Sequence, residues 1–204
     1  AVVGADNWHY YALDAAGQEL WRYESVHGST VGVAADLTGN GRDEVLAGTE
    51  YYWWHGVQPD GKRLFQYNTR GGPHAKAVTA AALDADGTRA AVFGGADGNV
   101  HALGSAGNPG SLRWLFNTGD EVLAVAAADI DGDGRDEILA GSMSFNVYAI
   151  DAGGALVWRR DLGAQVTRLR VAQATGGPAA VLAGCADGTL AVLDARTGRI
   201  VAGR

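Results

Sequence analysis

A loop-and-strand pattern that recurs along this chain constrains its fold more than any other feature. The strongest copy spans residues 129–141 (DIDGDGRDEILAG), and residues 36–48 (DLTGNGRDEVLAG) keep the same spacing. Weaker copies occupy residues 84–95 and 173–184. Each copy joins a turn-like loop to an apolar run typical of a buried strand. Successive copies begin 48, 45 and 44 residues apart, a repeat length typical of four-stranded propeller blades and not of helical arrays.

The rest of the sequence fits an all-β chain. It has 31 glycines and only 4 prolines among 204 residues, and its short apolar runs are separated by Gly, Asp and Asn. This composition predicts many strands joined by tight turns, in one domain with a sizeable core. At the start of the chain, residues 1–5, 9–14 and 19–24 read as three strands of a hairpin meander. We therefore predict a β-propeller of four-stranded antiparallel blades.

The first unit of the repeat is shorter than the others. Residues 1–5 align with the second strands of later units, at residues 45–49 and 138–142. The chain then holds four complete units and one that lacks its inner strand, which predicts a five-bladed or partial propeller. An unpaired strand edge exposes backbone donors and acceptors. We expect either self-association through this incomplete blade or its completion by the remainder of a longer propeller. The predicted single domain spans residues 1–204, with blade units at about 1–24, 25–68, 69–117, 118–162 and 163–204.

A large aromatic residue recurs near the predicted outer strand of most units. Trp21, Phe65, Trp114 and Trp158 hold this position, and Val201 holds it in the last unit. The first strand of each unit is built mainly from small apolar residues, which suits the crowded centre of a propeller. We predict that the aromatic residues pack one blade on the next.

Two sets of motifs resemble known propeller repeats. Residues 129–137 (DIDGDGRDE) and 36–44 (DLTGNGRDE) resemble the calcium loops of FG-GAP and VCBS-type repeats. Residues 11–21 (YALDAAGQELW), 148–158 (YAIDAGGALVW) and 191–201 (AVLDARTGRIV) resemble the tryptophan-docking repeat of quinoprotein-like (PQQ-like) propellers. The resemblance implies a β-propeller with four-stranded antiparallel blades. Both repeat types serve many functions, so the activity has to be argued from the sites.

The loop at residues 129–137 carries more carboxylates than a turn requires. Three Asp residues alternate along it and a Glu closes it, and such a group would repel itself without a divalent cation. Ligands that are all oxygen atoms favour calcium. The predicted calcium ligands are Asp129, Asp131, Asp133, the carbonyl of Arg135, and Glu137.

The corresponding loop in the second unit has fewer acids, so weaker calcium binding or none is expected there. Its candidate ligands are Asp36, Thr38, Asn40, Arg42 and Glu44. In the two weaker copies, a tight turn between strands accounts for the Asp and Gly residues without any metal.

The hairpins at the opposite ends of the strands supply the candidate ligand-binding residues. They are rich in aromatic side chains beside polar ones, a combination that suits a glycan or a protein ligand. Packing between blades is the alternative explanation, because strand alternation buries about half of residues 51–54 in either case. The candidate binding residues are Trp8, His9, Tyr51, Tyr52, Trp53, His27 and His74.

Charge and hydropathy narrow the partners and the compartment. The net charge of -7 and the scattered basic residues argue against nucleic-acid binding. No apolar run approaches the roughly 20 residues of a membrane span. Cys185 is the only cysteine, and its apolar surroundings predict a small buried side chain. Because calcium is abundant outside the cytoplasm, the predicted calcium loop favours a periplasmic or secreted location.

The sequence favours a non-catalytic binding module over an enzyme. The candidate His residues show no metal-ligand spacing within one element, and lone histidines in loops are mostly solvated. A propeller domain of a secreted enzyme, such as a polysaccharide lyase or a quinoprotein-like oxidoreductase, is the alternative. The oxidoreductase is disfavoured because the family it resembles uses larger rings and a pair of adjacent cysteines, which this chain lacks.

Overall fold

The computed structural model describes residues 1–105, 107–173 and 179–203. All regular secondary structure in these ranges is β-strand. In chain order the strands are β1 (Val2–Ala5), β2 (His9–Leu13), β3 (Glu19–Glu24), β4 (Ser29–Ala35), β5 (Glu44–Thr49), β6 (Trp53–Val57), β7 (Arg63–Asn68), β8 (Ala75–Ala81), β9 (Ala90–Gly95), β10 (Asn99–Leu103), β11 (Leu112–Asn117), β12 (Val122–Ala128), β13 (Glu137–Ser142), β14 (Asn146–Ile150), β15 (Leu156–Asp161), β16 (Val166–Gln173), β17 (Ala179–Cys185), β18 (Leu190–Asp194) and β19 (Ile200–Gly203).

These strands form five antiparallel sheets in sequence order. Sheet I has three strands (β1–β3), and sheets II (β4–β7), III (β8–β11), IV (β12–β15) and V (β16–β19) have four each. The first strands of sheets II to V contact one another in order, β4 with β8, β8 with β12 and β12 with β16, as the inner strands of a propeller do. The predicted propeller is confirmed: in the described part of the chain, four blades have four strands each and the first has three.

A glycine in the second strand lets each sheet approach the next. A Cβ atom built on this glycine would lie only 2.5 to 2.7 Å from a side-chain atom at the start of the following sheet, so no larger residue fits without a shift. Gly184 holds the same position in sheet V, but the nearest atom to its Cβ position is Arg168 Cβ at 3.6 Å, in its own sheet. The packed pairs are Gly4 with Ser29, Gly48 with Ala75, Gly94 with Val122, and Gly141 with Val166.

The recurring aromatic residues pack between sheets as predicted. The indole N–H of Trp21 donates a hydrogen bond to the carbonyl of Pro59 at 3.1 Å, across the boundary between sheets I and II. The same bond repeats from Trp114 to the Ala152 carbonyl at 3.1 Å and from Trp158 to the Ala195 carbonyl at 2.8 Å. Each indole also covers a glycine of a turn in the next sheet, where a Cβ would collide with the ring. Phe65 packs in the same way on Gly110.

A buried histidine also links sheets I and II. His55 is 1% exposed; its Nδ1 accepts a hydrogen bond from the Tyr23 hydroxyl at 2.9 Å, and its Nε2 lies 3.2 Å from the Ser25 carbonyl. A carbonyl can only accept, so Nε2 carries a proton, and in the neutral ring Nδ1 is then the acceptor. Burial lowers the pKa of His55 from 6.5 to about 4, which keeps the ring uncharged at neutral pH.

The antiparallel order places two kinds of loop at opposite ends of the sheets. The loops between first and second strands, including residues 36–43 and 129–136, form what we call the acidic rim. The hairpins between second and third strands, which in sheet I is the hairpin between β1 and β2, form the hairpin rim together with the connections from one sheet to the next. Its hairpins are residues 6–8, 50–52, 96–98, 143–145 and 186–189, and its connections are residues 25–28, 69–74, 118–121 and 162–165.

Candidate functional site

Three of the four predicted carboxylates converge on the acidic rim. Asp129, Asp131 and Glu137 each offer a carboxylate oxygen, and these three oxygens lie within 4.8 Å of one another. Glu137 is buried, Asp129 is half-buried and Asp131 is exposed, so the group runs from the protein interior to its surface. This spacing and donor set suit a single hard cation.

Backbone hydrogen bonds curl the loop around these carboxylates. Asp129 accepts hydrogen bonds from the amides of Gly132 at 2.6 Å and Gly134 at 3.0 Å. Both glycines have positive φ, 87° and 86°, which a residue with a Cβ adopts only at a cost. Glu137 accepts from the Ile130 amide at 2.9 Å. The alternation of Asp and Gly therefore sets both the turn and the direction of the acids.

Asp133, the fourth predicted carboxylate, points to a different partner. One of its oxygens accepts hydrogen bonds from Nε and Nη2 of Arg135, at 3.0 and 2.5 Å. These bonds hold the pKa of the Asp133 carboxyl below its usual value. Asp133 is not among the three clustered carboxylates, and its charge is already balanced by the guanidinium group.

The acidic side chains of the loop shift the pKa of Glu137. Burial raises the pKa of Glu137, the hydrogen bond from Ile130 opposes this rise, and the negative charges of Asp131, Asp133 and Asp129 add to it. A divalent cation among these carboxylates would reverse the effect, because it favours the ionised form of Glu137.

The loop of the second unit is closed by its own hydrogen bonds. Asp36 accepts from the amides of Gly39, Asn40 and Gly41 at 2.7 to 3.1 Å. The Asn40 side chain accepts from the Arg42 amide at 2.9 Å. At the end of the loop, Glu44 accepts from the Leu37 amide at 2.8 Å and from the Thr38 hydroxyl at 3.4 Å. Only Asp36 and Glu44 are acids among these ligands, so weak metal binding or none stays our prediction. The weak copy at residues 173–184 includes residues 174–178, which lie outside the described residues.

Three hairpins on the hairpin rim hold an aromatic residue in a left-handed backbone conformation. Trp8, Tyr52 and Phe145 have φ values of 67°, 50° and 69°, and they are 53%, 49% and 45% exposed. The matching hairpins of sheets III and V have Gly98 and Gly188 there, with φ values of 78° and 90°. Glycine adopts this conformation without steric strain, whereas other L-residues do not. The rim therefore presents bulky rings at positions where the backbone favours glycine.

A repeated hydrogen bond holds this conformation. The carbonyls of Trp8, Tyr52 and Phe145 accept from the amides of Ser25, Thr69 and Leu162 at 2.8, 2.6 and 2.9 Å. The donors lie in the connections to the next sheet, so each hairpin is fixed to the neighbouring part of the rim. Gly98 accepts from Thr118 in the same way, at 2.8 Å. The left-handed position is a property of the blade, and only the side chain varies.

The structure brings four of the predicted binding residues together. The Tyr51 ring meets His27 edge-on at 5.7 Å between centroids and His74 edge-on at 4.9 Å. Tyr52 is 6.2 Å from His27 and packs on Gly72, where a Cβ would come within 2.9 Å of the ring. We call Tyr51, Tyr52, His27 and His74 the aromatic cluster.

The other predicted binding residues are separate from the aromatic cluster. Trp53 is half-buried and Trp54 is fully buried. Burial in this run does not alternate as expected, because Tyr51 and Tyr52 lie in the hairpin before β6 and both are exposed, while both faces of β6 are covered. His9 is bonded within its own hairpin: its Nδ1 lies 2.8 Å from the Asn7 carbonyl. Trp8 extends from the same hairpin into solvent.

Sequence reasoning missed a chain of polar groups in sheet III. His101 is 3% exposed; its Nε2 lies 3.0 Å from the Asp97 carboxylate, and its Nδ1 lies 3.1 Å from the Tyr67 hydroxyl. Burial opposes ionisation of Asp97, but hydrogen bonds from His101 and Asn99 outweigh it and hold the pKa of Asp97 below its usual value. These groups line a cavity of about 550 Å³ together with Arg70.

The position of His101 explains this chain of polar groups. It is the third residue of β10, as His55 is the third residue of β6, and the Nδ1 atom of each lies within hydrogen-bond distance of a Tyr hydroxyl of the preceding sheet. The recurrence marks packing between sheets. The matching positions of the two histidines were a signal visible in the sequence. The two sites differ in that His101 has a carboxylate partner, Asp97, next to its ring.

Comparison with known proteins supports the propeller fold. The family model of the lambda-carrageenase beta-propeller domain matches residues 109–202, which is less than half of the chain. No curated protein matches. In the part of the chain that the structure describes, there is no helix with the length and hydropathy needed to cross a bilayer.

Solved structures share the fold at low sequence identity. Sqt1 of Saccharomyces cerevisiae superposes with a TM-score of 0.78 at 15% identity, covering 94% of this chain and 53% of its own. BamB of Moraxella catarrhalis superposes with a TM-score of 0.67 at 22% identity, covering 100% of this chain and 57% of its own. The chain is therefore a β-propeller protein by fold, and it spans little more than half the length of these two proteins.

Proposed function

We propose that this chain is a non-catalytic binding module that engages a glycan or a protein through exposed aromatic rings on its hairpin rim. The observation that carries the proposal is the left-handed backbone of Trp8, Tyr52 and Phe145. A left-handed residue other than glycine costs about 1–2 kcal/mol. About half of each residue is exposed, so a large part of each ring is free to contact a ligand. Such strain is typical of functional surfaces.

The chemistry of the aromatic cluster fits either ligand class. Tyr51 and Tyr52 offer flat apolar faces and hydroxyl groups, and His27 and His74 add ring nitrogens beside them. Aromatic side chains of this kind anchor protein interfaces, and rings beside polar groups also suit a sugar. The propeller fold is consistent with a protein-interaction module. The likeness of residues 109–202 to a lambda-carrageenase propeller supports lambda-carrageenan as the first glycan to test.

Replacing a rim aromatic by glycine should remove binding and leave the fold intact. In Trp8→Gly and Tyr52→Gly, the new residue matches the glycine of sheets III and V, so we expect an unchanged or higher melting temperature. Loss of a binding anchor should weaken affinity by about 1–2 kcal/mol, or about five- to thirtyfold in Kd. Wild type and variants should be compared on a glycan array that includes lambda-carrageenan oligosaccharides and in a protein-partner screen.

Leu156→Ala is the matched control for this experiment. Leu156 is 51% exposed and lies on β15, away from the hairpin rim, so its truncation should leave binding unchanged. Glycine variants that bind normally and melt earlier would assign the rings to structure and contradict the proposal. Turnover of lambda-carrageenan would favour the alternative, a propeller domain of a polysaccharide-degrading enzyme.

We further propose that calcium braces the opposite rim at Asp129, Asp131 and Glu137. The proposal is supported by the convergence of the three carboxylates, by the raised pKa of Glu137, and by the resemblance of residues 129–137 to FG-GAP and VCBS-type loops. The cation would join the β12–β13 loop to the start of β13, which is a structural role. A calcium-dependent module is suited to a periplasmic or secreted location.

Calcium should stabilise the wild-type protein and not the Asp131→Asn variant. At calcium concentrations a hundred times the Kd, mass action should add about 2.7 kcal/mol to the free energy of unfolding. Calorimetric titration and thermal melts in calcium and in chelator measure both effects. Asp36→Asn is the control for the second loop and should leave most of the stabilisation in place. A calorimetric titration without heat change, together with equal melting temperatures in calcium and in chelator, would contradict the proposal and show that residues 129–137 form only a turn.

A further inference from the structure

The cavity of about 550 Å³ between sheets II and III lies next to the aromatic cluster. Its volume is in the range of about 300–1,000 Å³ that is typical of small-molecule sites. Two of its lining residues belong to the hairpin rim: Arg70 in the connection after β7, and Asp97 in the hairpin before β10. Arg70 directly follows Thr69, whose amide donates to the Tyr52 carbonyl at 2.6 Å. A ligand in the cavity would therefore be close to the exposed rings of the rim.

The polar wall of the cavity offers both donors and acceptors. Arg70 can only donate, the Asp97 carboxylate accepts, and the carboxamide of Asn68 does both. Arg70 is exposed and takes part in none of the ion pairs that the described residues form. Asn68 is also exposed, at the end of β7. A neutral ligand with several hydroxyl groups matches this wall, because each hydroxyl can both donate and accept.

The Asp97 carboxylate is already held in place. His101 Nε2 lies 3.0 Å from Oδ2 of Asp97, and Asn99 Nδ2 donates to the same oxygen at 2.9 Å. The Asp97 side chain is 27% exposed, whereas that of His101 is 4% exposed, so the carboxylate is the accessible member of the pair. An acceptor that is fixed before binding lowers the cost of ordering the site around a ligand.

The other wall of the cavity is apolar. Leu112 and Leu115 of β11 line it, and they are 46% and 48% exposed. A sugar ring carries C–H groups on its face and hydroxyl groups at its edge, so it can contact an apolar wall and a polar wall at the same time. The two walls together suit a sugar ring better than a wholly polar or a wholly apolar ligand.

The matching space between sheets III and IV shows that packing does not require these charged groups. Phe116 and Tyr148 hold the positions of Tyr67 and His101, and their rings meet edge-on at 5.6 Å. Ser144 holds the position of Asp97 and bonds to the Tyr148 hydroxyl at 3.0 Å. The same contact between sheets is therefore made there without an aspartate.

We propose that this cavity binds one neutral sugar unit of a glycan. Arg70, Asn68 and Asp97 bond to its hydroxyl groups, and Leu112 and Leu115 cover the C–H face of its ring. The inference rests on the proposed function, and it selects a glycan over a protein as the ligand of the hairpin rim. Further sugar units of the same glycan extend from the cavity to the aromatic cluster.

The methyl NMR signals of Leu112 and Leu115 report occupancy of the cavity. Methyl-labelled protein is titrated with the methyl glycosides of glucose, galactose, mannose and xylose, and separately with N-acetyl-L-leucine, an anionic peptide-like probe. We expect a saturable shift of both leucine signals with at least one of the sugars. The absence of a shift with all four sugars, or tighter binding of N-acetyl-L-leucine than of any sugar, would overturn the proposal.

Arg70→Gln should weaken binding of the sugar at least about tenfold in Kd, because hydrogen bonds from charged donors are stronger than neutral ones. Asn68→Ala should weaken it in the same direction. Both residues are exposed, so we expect the melting temperature of the wild type in each variant. Arg159→Gln is the matched control, because Arg159 is exposed on β15 and should leave binding unchanged. Equal affinity of the wild type and Arg70→Gln would contradict the proposal.

Tyr52→Gly separates this inference from the proposed function. Tyr52 does not line the cavity, so this variant should still bind the methyl glycoside while it loses a longer glycan found on the array. A longer glycan that is lost in Tyr52→Gly but retained in Arg70→Gln, with unmoved leucine signals, would overturn the cavity proposal and leave the proposed function intact. Binding of the methyl glycoside in the cavity, with glycan binding unaffected by Trp8→Gly and Tyr52→Gly, would support the cavity and contradict the role of the rings.

Discussion

Gly94→Ala should lower the free energy of unfolding by about 2–3 kcal/mol, whereas Gly184→Ala should change it by less than about 0.5 kcal/mol. A Cβ at Gly94 would lie 2.7 Å from Val122 Cγ1 and 2.9 Å from the Val122 carbonyl oxygen. The oxygen belongs to the backbone of β12, so sheets III and IV would have to separate. At Gly184 the nearest atom is 3.6 Å away, which is an ordinary contact.

Urea unfolding of the two variants and the wild type measures this difference. The substitutions are chemically identical and both glycines lie in second strands, so strand propensity cancels in the comparison. Equal losses of stability at Gly94 and Gly184 would contradict the role that we give to sheet-to-sheet contact. It would then follow that the glycine is needed within each sheet and not between sheets.

Acid should destabilise the wild-type protein through His55 by about 3 kcal/mol between pH 6.5 and pH 4. The folded pKa is about 4, below the ordinary value of 6.5 that applies to the unfolded chain. In this window the unfolded chain binds a proton and the folded chain does not, so the free energy of unfolding falls as the pH falls. The contribution is complete above pH 6.5 and is lost progressively down to pH 4.

The His55→Gln variant isolates this effect. A glutamine amide can accept from Tyr23 and donate to the Ser25 carbonyl, as the neutral imidazole does, but it does not titrate. Carboxylates titrate in both proteins, so the difference in slope between the two curves of unfolding free energy against pH reports His55. Parallel curves from pH 7 to pH 4 would contradict the prediction, because they would show that His55 has the same pKa in the folded and the unfolded chain.

Much of the fold is local in origin and could be predicted. The turns depend on Gly and Asp at fixed positions, and the strands depend on short apolar runs, so the repeat predicted the sheets and the incomplete first blade. Tryptophan docking was also predictable, because Trp21, Trp114 and Trp158 recur at one place in the repeat. Each feature needs only residues close in sequence, or a repeat of them.

A site could be predicted only where its residues are close to one another in sequence. Asp129, Asp131 and Glu137 converge because a single loop carries them. Asp133 has the same spacing, yet it forms an ion pair with Arg135 two residues away. The spacing of the acids does not show whether Asp133 pairs with Arg135 or helps to bind a cation. The aromatic cluster joins His27 and His74 to Tyr51 from separate connections, so the sequence named its members without giving their contacts.

The sequence by itself determined that the chain forms antiparallel blades with acidic loops at one end and aromatic hairpins at the other. Tertiary structure decided what each repeated position contacts. Gly94 and Gly184 occupy the same place in the repeat, but only Gly94 has another sheet packed against it. Likewise, only the backbone angles of Trp8, Tyr52 and Phe145 show that these rings replace glycine. The physical reason is that contacts between sheets depend on neighbours distant in sequence, and those differ even where the repeat does not.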